Sequence, residues 1–200
     1  MTMKNGSLLL RSLLVASLPA VAAAQAPAPA PAPAAAPAAT ATPAPLPTPA
    51  PETQKLSFLI GDWVHEETFQ PGPMGPGGTG KGRSKSALAL GDHYVYTIYT
   101  TNTPMGKLEA RGFFGWDAEK KRYQMSWFDN MGMATVFTGD FDAEGTLVLN
   151  AEYTHQGTPV KERFSIKKQP DGKLVFTSAM PGPDGAWKVG MESVATAAAK

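Results

Sequence analysis

The chain has 200 residues, with 18 Lys+Arg against 17 Asp+Glu, and no cysteine. A charge this close to balance leaves no electrostatic footprint for nucleic acid or an acidic membrane surface. Without cysteine, disulfides, thiolate metal sites, thiol redox chemistry and lipidation of an N-terminal Cys are all excluded.

The first 24 residues read as a signal peptide. Lys4 and Arg11 supply positive charge, SLLLRSLLVASLPAVAAA is mostly apolar, and AVAAAQA places small residues at −3 and −1. Cleavage is expected after Ala24, because cleavage after Ala26 would put Pro27 next to the scissile bond. Arg11 interrupts the apolar stretch, which is also short for a membrane span, so an uncleaved anchor is disfavoured. The expected location is the periplasm or the exterior of the cell.

Residues 25–52 form a Pro/Ala-rich linker, within which APAPAPAPAAAPAATATPAPLPTPAP carries almost no bulky side chain and no charge. Frequent proline removes backbone donors and favours extended polyproline II, a semi-rigid disordered spacer without a core.

Residues 53–200 are expected to form one all-β domain. Only ETQKLSFLIG looks helical, with Glu52 or Thr53 as cap and Gly61 as stop. Beyond it, polar and apolar residues alternate at period two between short turns such as LGDH, DAEG, HQGT, QPDGK and GPDGA. The alternation predicts strands at 63–69, 81–90, 93–101, 109–116, 122–128, 134–141, 146–154, 159–167, 173–179 and 187–194. Short links favour antiparallel neighbours, and a meander of this many strands removes its edges by closing. The expected architecture is an antiparallel up-and-down β-barrel of about ten strands with a short N-terminal helix.

The same alternation assigns faces. Tyr123, Met125 and Trp127 are expected inside, as are Phe137 and Phe141, then Leu147, Leu149 and Tyr153, then Val160, Phe164 and Ile166, then Leu174 and Phe176, and finally Trp187, Val189 and Met191. Polar groups also fall on inward faces: His65 and Glu67 alternate with Trp63 and Phe69, Glu109 and Arg111 with Phe113, and Glu162 lies between Val160 and Phe164. A buried charge needs a partner, so these groups pair with one another, hold water, or meet a ligand. The candidate ligand-binding set is Trp63, His65, Glu67, Arg111, Phe113, Tyr123, Met125, Trp127, Phe137, Tyr153, Glu162 and Phe164.

The glycine-rich stretch PGPMGPGGTGKG (71–82) is the longest expected loop, and with TPMGK and PGPDG it is placed to rim one end of the barrel. It precedes no helix and lacks phosphate-loop spacing.

LSFLIGDW, then FFGWDAEKKRYQMSWFDNMG, then GTLVL and a late DGAW resemble a family of bacterial secreted or periplasmic proteins, domain of unknown function 1579, over about residues 53–194. The best-matched part runs from Gly115-Trp116-Asp117 through Arg122-Tyr123 to Trp127 and Asp129, although the family typically has Gly-Tyr-Asp at the first of these. The resemblance implies a calycin-like barrel, similar in shape to lipocalins, fatty-acid-binding proteins and nitrobindin; fatty-acid-binding barrels hold a carboxylate with an inward Arg and Tyr, so the resemblance makes Arg111 with Tyr123 or Tyr153 a candidate pair for a ligand carboxylate. In such barrels a short helix leading into Gly-x-Trp, here Gly61-Asp62-Trp63, plugs one end. It implies no activity.

Chemistry beyond binding is weakly signalled. The chain has neither Gly-x-Ser-x-Gly nor His-Glu-x-x-His, and Glu162 or His65 is the best available base for an enzymatic reading. His65, His93 and His155 lack a haem- or zinc-like setting, and the methionines suit an adaptable apolar pocket better than Cu(I). No cofactor and no metal is expected. The expected partner is a small hydrophobic molecule, with no nucleic acid and no stable membrane insertion after signal cleavage. The alternative is a structural or interaction module of the cell envelope with a filled barrel.

Overall fold

The computed structural model describes residues 45–72, 75–155 and 157–199. The expected signal peptide and most of the linker lie outside them.

Pro51–Gln54 form a helical turn, α1, continued by a 3-10 helix over Lys55–Leu59. Proline suits the first turn, where its missing N–H is one of the donors a helix leaves unpaired. The expected cap at Glu52 or Thr53 is not found: Ala50 takes the N-cap position with no side-chain bond. Thr53, Leu56 and Leu59 are buried.

Ten strands follow: β1 (Gly61–Phe69), β2 (Gly78–Ala89), β3 (Tyr94–Thr103), β4 (Gly106–Asp117), β5 (Arg122–Asp129), β6 (Ala134–Phe141), β7 (Leu147–His155), β8 (Thr158–Lys168), β9 (Leu174–Pro181) and β10 (Trp187–Ala197). Each pairs antiparallel with its sequence neighbours, and β1 pairs with β10, so the meander closes into a barrel. Closure leaves no edge to template aggregation. Among the described residues, no helix is long and apolar enough to cross a membrane.

Four hairpins share one turn design. The backbone N–H groups of Gly132, Gly145, Gly172 and Gly185 each donate three residues back, to Asp129, Asp142, Gln169 and Gly182. A left-handed glycine as the fourth residue matches the twist of the flanking strands.

The helical segment closes one end of the barrel. Its floor is built from Leu56, Leu59, Trp63, Val95, Tyr123, Leu147, Ile166, Leu174 and Ala195, all buried. Gly61 starts β1 at φ +142, a conformation that disfavours side chains, and the chain there turns from the 3-10 helix into the barrel wall. Two residues on, the indole N–H of Trp63 donates to the Leu59 carbonyl at 3.0 Å. That carbonyl belongs to the last residue of the 3-10 helix, where acceptors lack helical partners. FLIGDW therefore ends a helix, turns the chain and seals the floor.

Two face assignments are corrected. On β4 Ala110, Gly112 and Phe114 are buried on the inward face, while Arg111 and Phe113 point outward. Alternation places Glu109, Arg111 and Phe113 inside, although the adjacent Phe114 fits the opposite parity equally well. The chain resolves it by placing small residues inside, where Gly112 sits against the Trp127 ring, and by leaving Glu109 to pair with Lys107 in solvent. On β10 the register shifts between Val189 and Met191, so Gly190 faces no residue of β9. Such a bulge breaks the period-two pattern. Met191 pairs with Ser178 and faces in. Val189 pairs with Ala179, and Trp187 lies outside with the Arg163 guanidinium 4.2 Å from its ring centre.

Candidate functional site: the barrel interior

Above the floor the barrel holds a cavity of about 650 Å³. One wall, from β10, β1, β2 and β3, carries Ser193, His65, Ser84, Ser86, Thr97 and Tyr99. The facing wall, from β4 to β9, carries Phe114, Met125, Trp127, Phe137, Phe164 and Phe176. The mouth is ringed by Pro71, Gly75, Pro104, Met105, Met131 and Pro183, so the loops following β1, β3, β5 and β9 meet there. β2 begins at Gly78, so the first of these loops ends earlier than the sequence suggests.

Small residues make the polar wall possible. In β2, Gly80, Gly82, Ser84 and Ser86 alternate with Lys81, Arg83 and Lys85, and the small set points inward. Gly80 lies opposite Glu67 and Gly82 opposite His65. A Cβ on Gly80 would stand 2.8 Å from Glu67 Oε2, and one on Gly82 would stand 3.1 Å from Oε1. Their missing side chains are the space the carboxylate occupies.

Glu67 is 2 % exposed. It accepts hydrogen bonds from the Tyr99 hydroxyl and from Thr101 Oγ1, the latter at 2.6 Å. Burial, and then the charge of Glu67, holds the Tyr99 phenol protonated far above its ordinary range. Glu162 is arranged alike: Tyr153 donates to Oε2 at 2.8 Å and Ser178 to Oε1 at 2.5 Å. The Tyr153 phenol is likewise pushed up, first by burial and then by Glu162. Glu67 sits behind Tyr99, whereas Glu162 lines the cavity.

His65 is 3 % exposed. Its Nδ1 lies 2.9 Å from Ser193 Oγ and its Nε2 lies 2.8 Å from Ser84 Oγ. A neutral imidazole donates through one nitrogen and accepts through the other, so two hydroxyls satisfy it. Burial lowers its pKa to about 4, which keeps it neutral at pH 7. The Tyr99 and Phe176 rings pack against it at 5.4 and 5.5 Å.

Of the twelve predicted residues, Trp63, His65, Met125, Trp127, Phe137, Tyr153, Glu162 and Phe164 line the cavity together. Glu67 points inward but is enclosed by its hydroxyl partners. Tyr123 points inward in the floor, where its hydroxyl donates to the Glu52 carbonyl at 3.2 Å and its ring meets Trp116 and Phe141. Arg111 and Phe113 are outside: the guanidinium donates to its neighbour's carbonyl, and the Phe113 ring packs on Tyr94 and Tyr96. Arg111 therefore cannot hold a carboxylate inside the barrel with Tyr123 or Tyr153.

Sequence reasoning missed the polar wall, Ser84, Ser86, Thr97, Tyr99 and Ser193, together with Thr101 and Ser178. In β3, YVYTIYTT presents Tyr and Thr on both faces, so alternation alone does not orient it. A usable signal lay in β2, where charge alternating with Gly and Ser marks an inward face left small for something larger.

A family profile described as "Protein of unknown function (DUF1579)" matches residues 48–196. The chain belongs to this family. Among solved structures it is similar to Rv2717c from M. tuberculosis, with a TM-score of 0.55 at 16 % identity, covering 76 % of this chain and 99 % of that one. At that identity the likeness concerns the fold alone. No curated protein matches the chain in sequence.

Proposed function

We propose that this protein binds one small, largely apolar molecule inside its barrel, in the periplasm or outside the cell, after a signal peptide has been cleaved behind Ala24. The observation that carries the reading is the cavity itself. At about 650 Å³ it is within the range of small-molecule sites, with an apolar wall and a few convergent polar groups. A filled structural barrel would put bulky side chains where Ser84, Ser86, Thr97 and Ser193 stand.

The direct test is native mass spectrometry of the protein purified gently from the periplasm, beside a titration with the apolar fluorophore N-phenyl-1-naphthylamine. One equivalent of probe, quenching Trp127 and displaced by the extract of the denatured protein, supports binding. A bare mass together with no probe uptake by a folded barrel refutes it. The same spectrum tests the export reading: the mature chain should begin at Gln25.

A further inference from the structure

Resting on that reading of the cavity, we infer that the occupant is an organic cation, an amine or alkylammonium group on an apolar body, whose nitrogen sits at Glu162. Glu162 carries a carboxylate into the cavity with no ion-pair partner among the described residues. Tyr153 and Ser178 take one acceptor position on each oxygen. A carboxylate offers about four such positions, so both oxygens retain capacity toward the cavity.

The surroundings favour positive charge. Trp127, Tyr153, Phe164 and Phe176 line the cavity with Glu162, and ring faces attract cations, most strongly when desolvated. Glu67, behind Tyr99, adds a second inward carboxylate. Asp129 lies at the mouth. The two lysines lining the mouth are each paired, Lys107 with Glu109 at 2.5 Å and Lys188 with Asp184 at 3.0 Å. His65 is neutral and satisfied by its two serines. Arg111, the one inward cation the sequence suggested, is outside the barrel. An anionic head group drawn to this depth would lose its water and meet like charge, whereas an ammonium group would pair with a carboxylate already held in place by two donors.

The test uses three ten-carbon probes, decylammonium, decanol and decanoate, titrated by calorimetry into the mature protein and its Glu162→Gln variant at pH 7. Decylammonium should bind at least about tenfold more tightly than decanoate, and more tightly than decanol. Glu162→Gln should bring decylammonium to the level of decanol. The inference is overturned if decanol or decanoate binds at least as well as decylammonium, while the ligand-binding reading stands. It is also overturned if a folded Glu162→Gln keeps the preference. If none of the three binds, the ligand-binding reading falls with it. The ranking in the unmodified protein decides the matter even if the variant does not fold.

Discussion

The Tyr99 hydroxyl donates to Glu67 across the inside of the barrel, into a space left by Gly80 and Gly82. Three strands build this contact: β1 brings the acid, β2 withdraws, and β3 supplies the phenol and Thr101. A buried carboxylate is tolerated when donors surround it.

Gly80→Ala should therefore destabilise the fold. The added methyl would stand 2.8 Å from both Glu67 Oε2 and the Asn102 carbonyl, and backbone cannot yield cheaply. The expected loss is about 1–3 kcal/mol. Tyr99→Phe, which leaves one oxygen of Glu67 without its donor, should cost a similar ~1–3 kcal/mol. Urea unfolding monitored by circular dichroism checks both; a change inside measurement error at Gly80 would show that β1 and β3 leave room for a methyl group there.

His65 should make stability depend on pH in a defined window. Its folded pKa is about 4, against an ordinary value of 6.5, because burial disfavours the charged ring. Between those values the unfolded chain binds the proton and the folded chain does not, so stability is full above about pH 6.5 and declines as pH falls toward 4. The decline is at most about 3 kcal/mol. Thermal unfolding of the wild type and of His65→Gln between pH 7 and 5, above most carboxylate titration, should give curves that converge as pH falls. Parallel curves would show that the ring is solvated.

Trp63→Phe keeps the ring in the floor and removes the N–H that reaches Leu59. The loss should be about 1–3 kcal/mol, since the carbonyl at the end of the 3-10 helix is left without that donor. Hydrogen exchange of the Leu56–Ile60 amides should speed up more than exchange in β7, because the contact ties the plug to the wall. Uniform change across the barrel would argue against a separate plug.

Arg111→Ala should leave both stability and ligand affinity nearly unchanged, within about 0.5 kcal/mol, as for other surface positions. Calorimetry with whichever probe binds is sufficient. A large loss of affinity would return Arg111 to the interior and reverse the assignment of β4.

Periodicity made much of this molecule legible before any coordinates. Ten alternating segments with short turns lead to a closed meander, because a strand buried on one face must repeat at two and an open sheet of that size exposes its edges. The run from Tyr123 to Trp127, and those containing Leu149 and Phe164, were oriented correctly because polar residues dominate their outer faces. Where both faces carried candidates the pattern misled or gave no answer: in β4 it placed Arg111 and Phe113 inside where Phe114 stands, and in β3, with Tyr on both faces, it oriented nothing.

What the tertiary structure alone decided is of three kinds. Parity within a strand is lost at an unmarked extra residue, and Gly190 is one, so Trp187 and Met191 ended on opposite faces. Pairings between strands far apart in sequence, such as His65 with Ser193, arise only when β1 meets β10 to close the barrel. And whether inward side chains fill the interior or leave space depends on volumes summed across ten strands, where Gly80, Gly82 and the serines of β2 count as much as the aromatic residues facing them. A linear sequence carries each residue's period and polarity, but closure and packing set which groups meet.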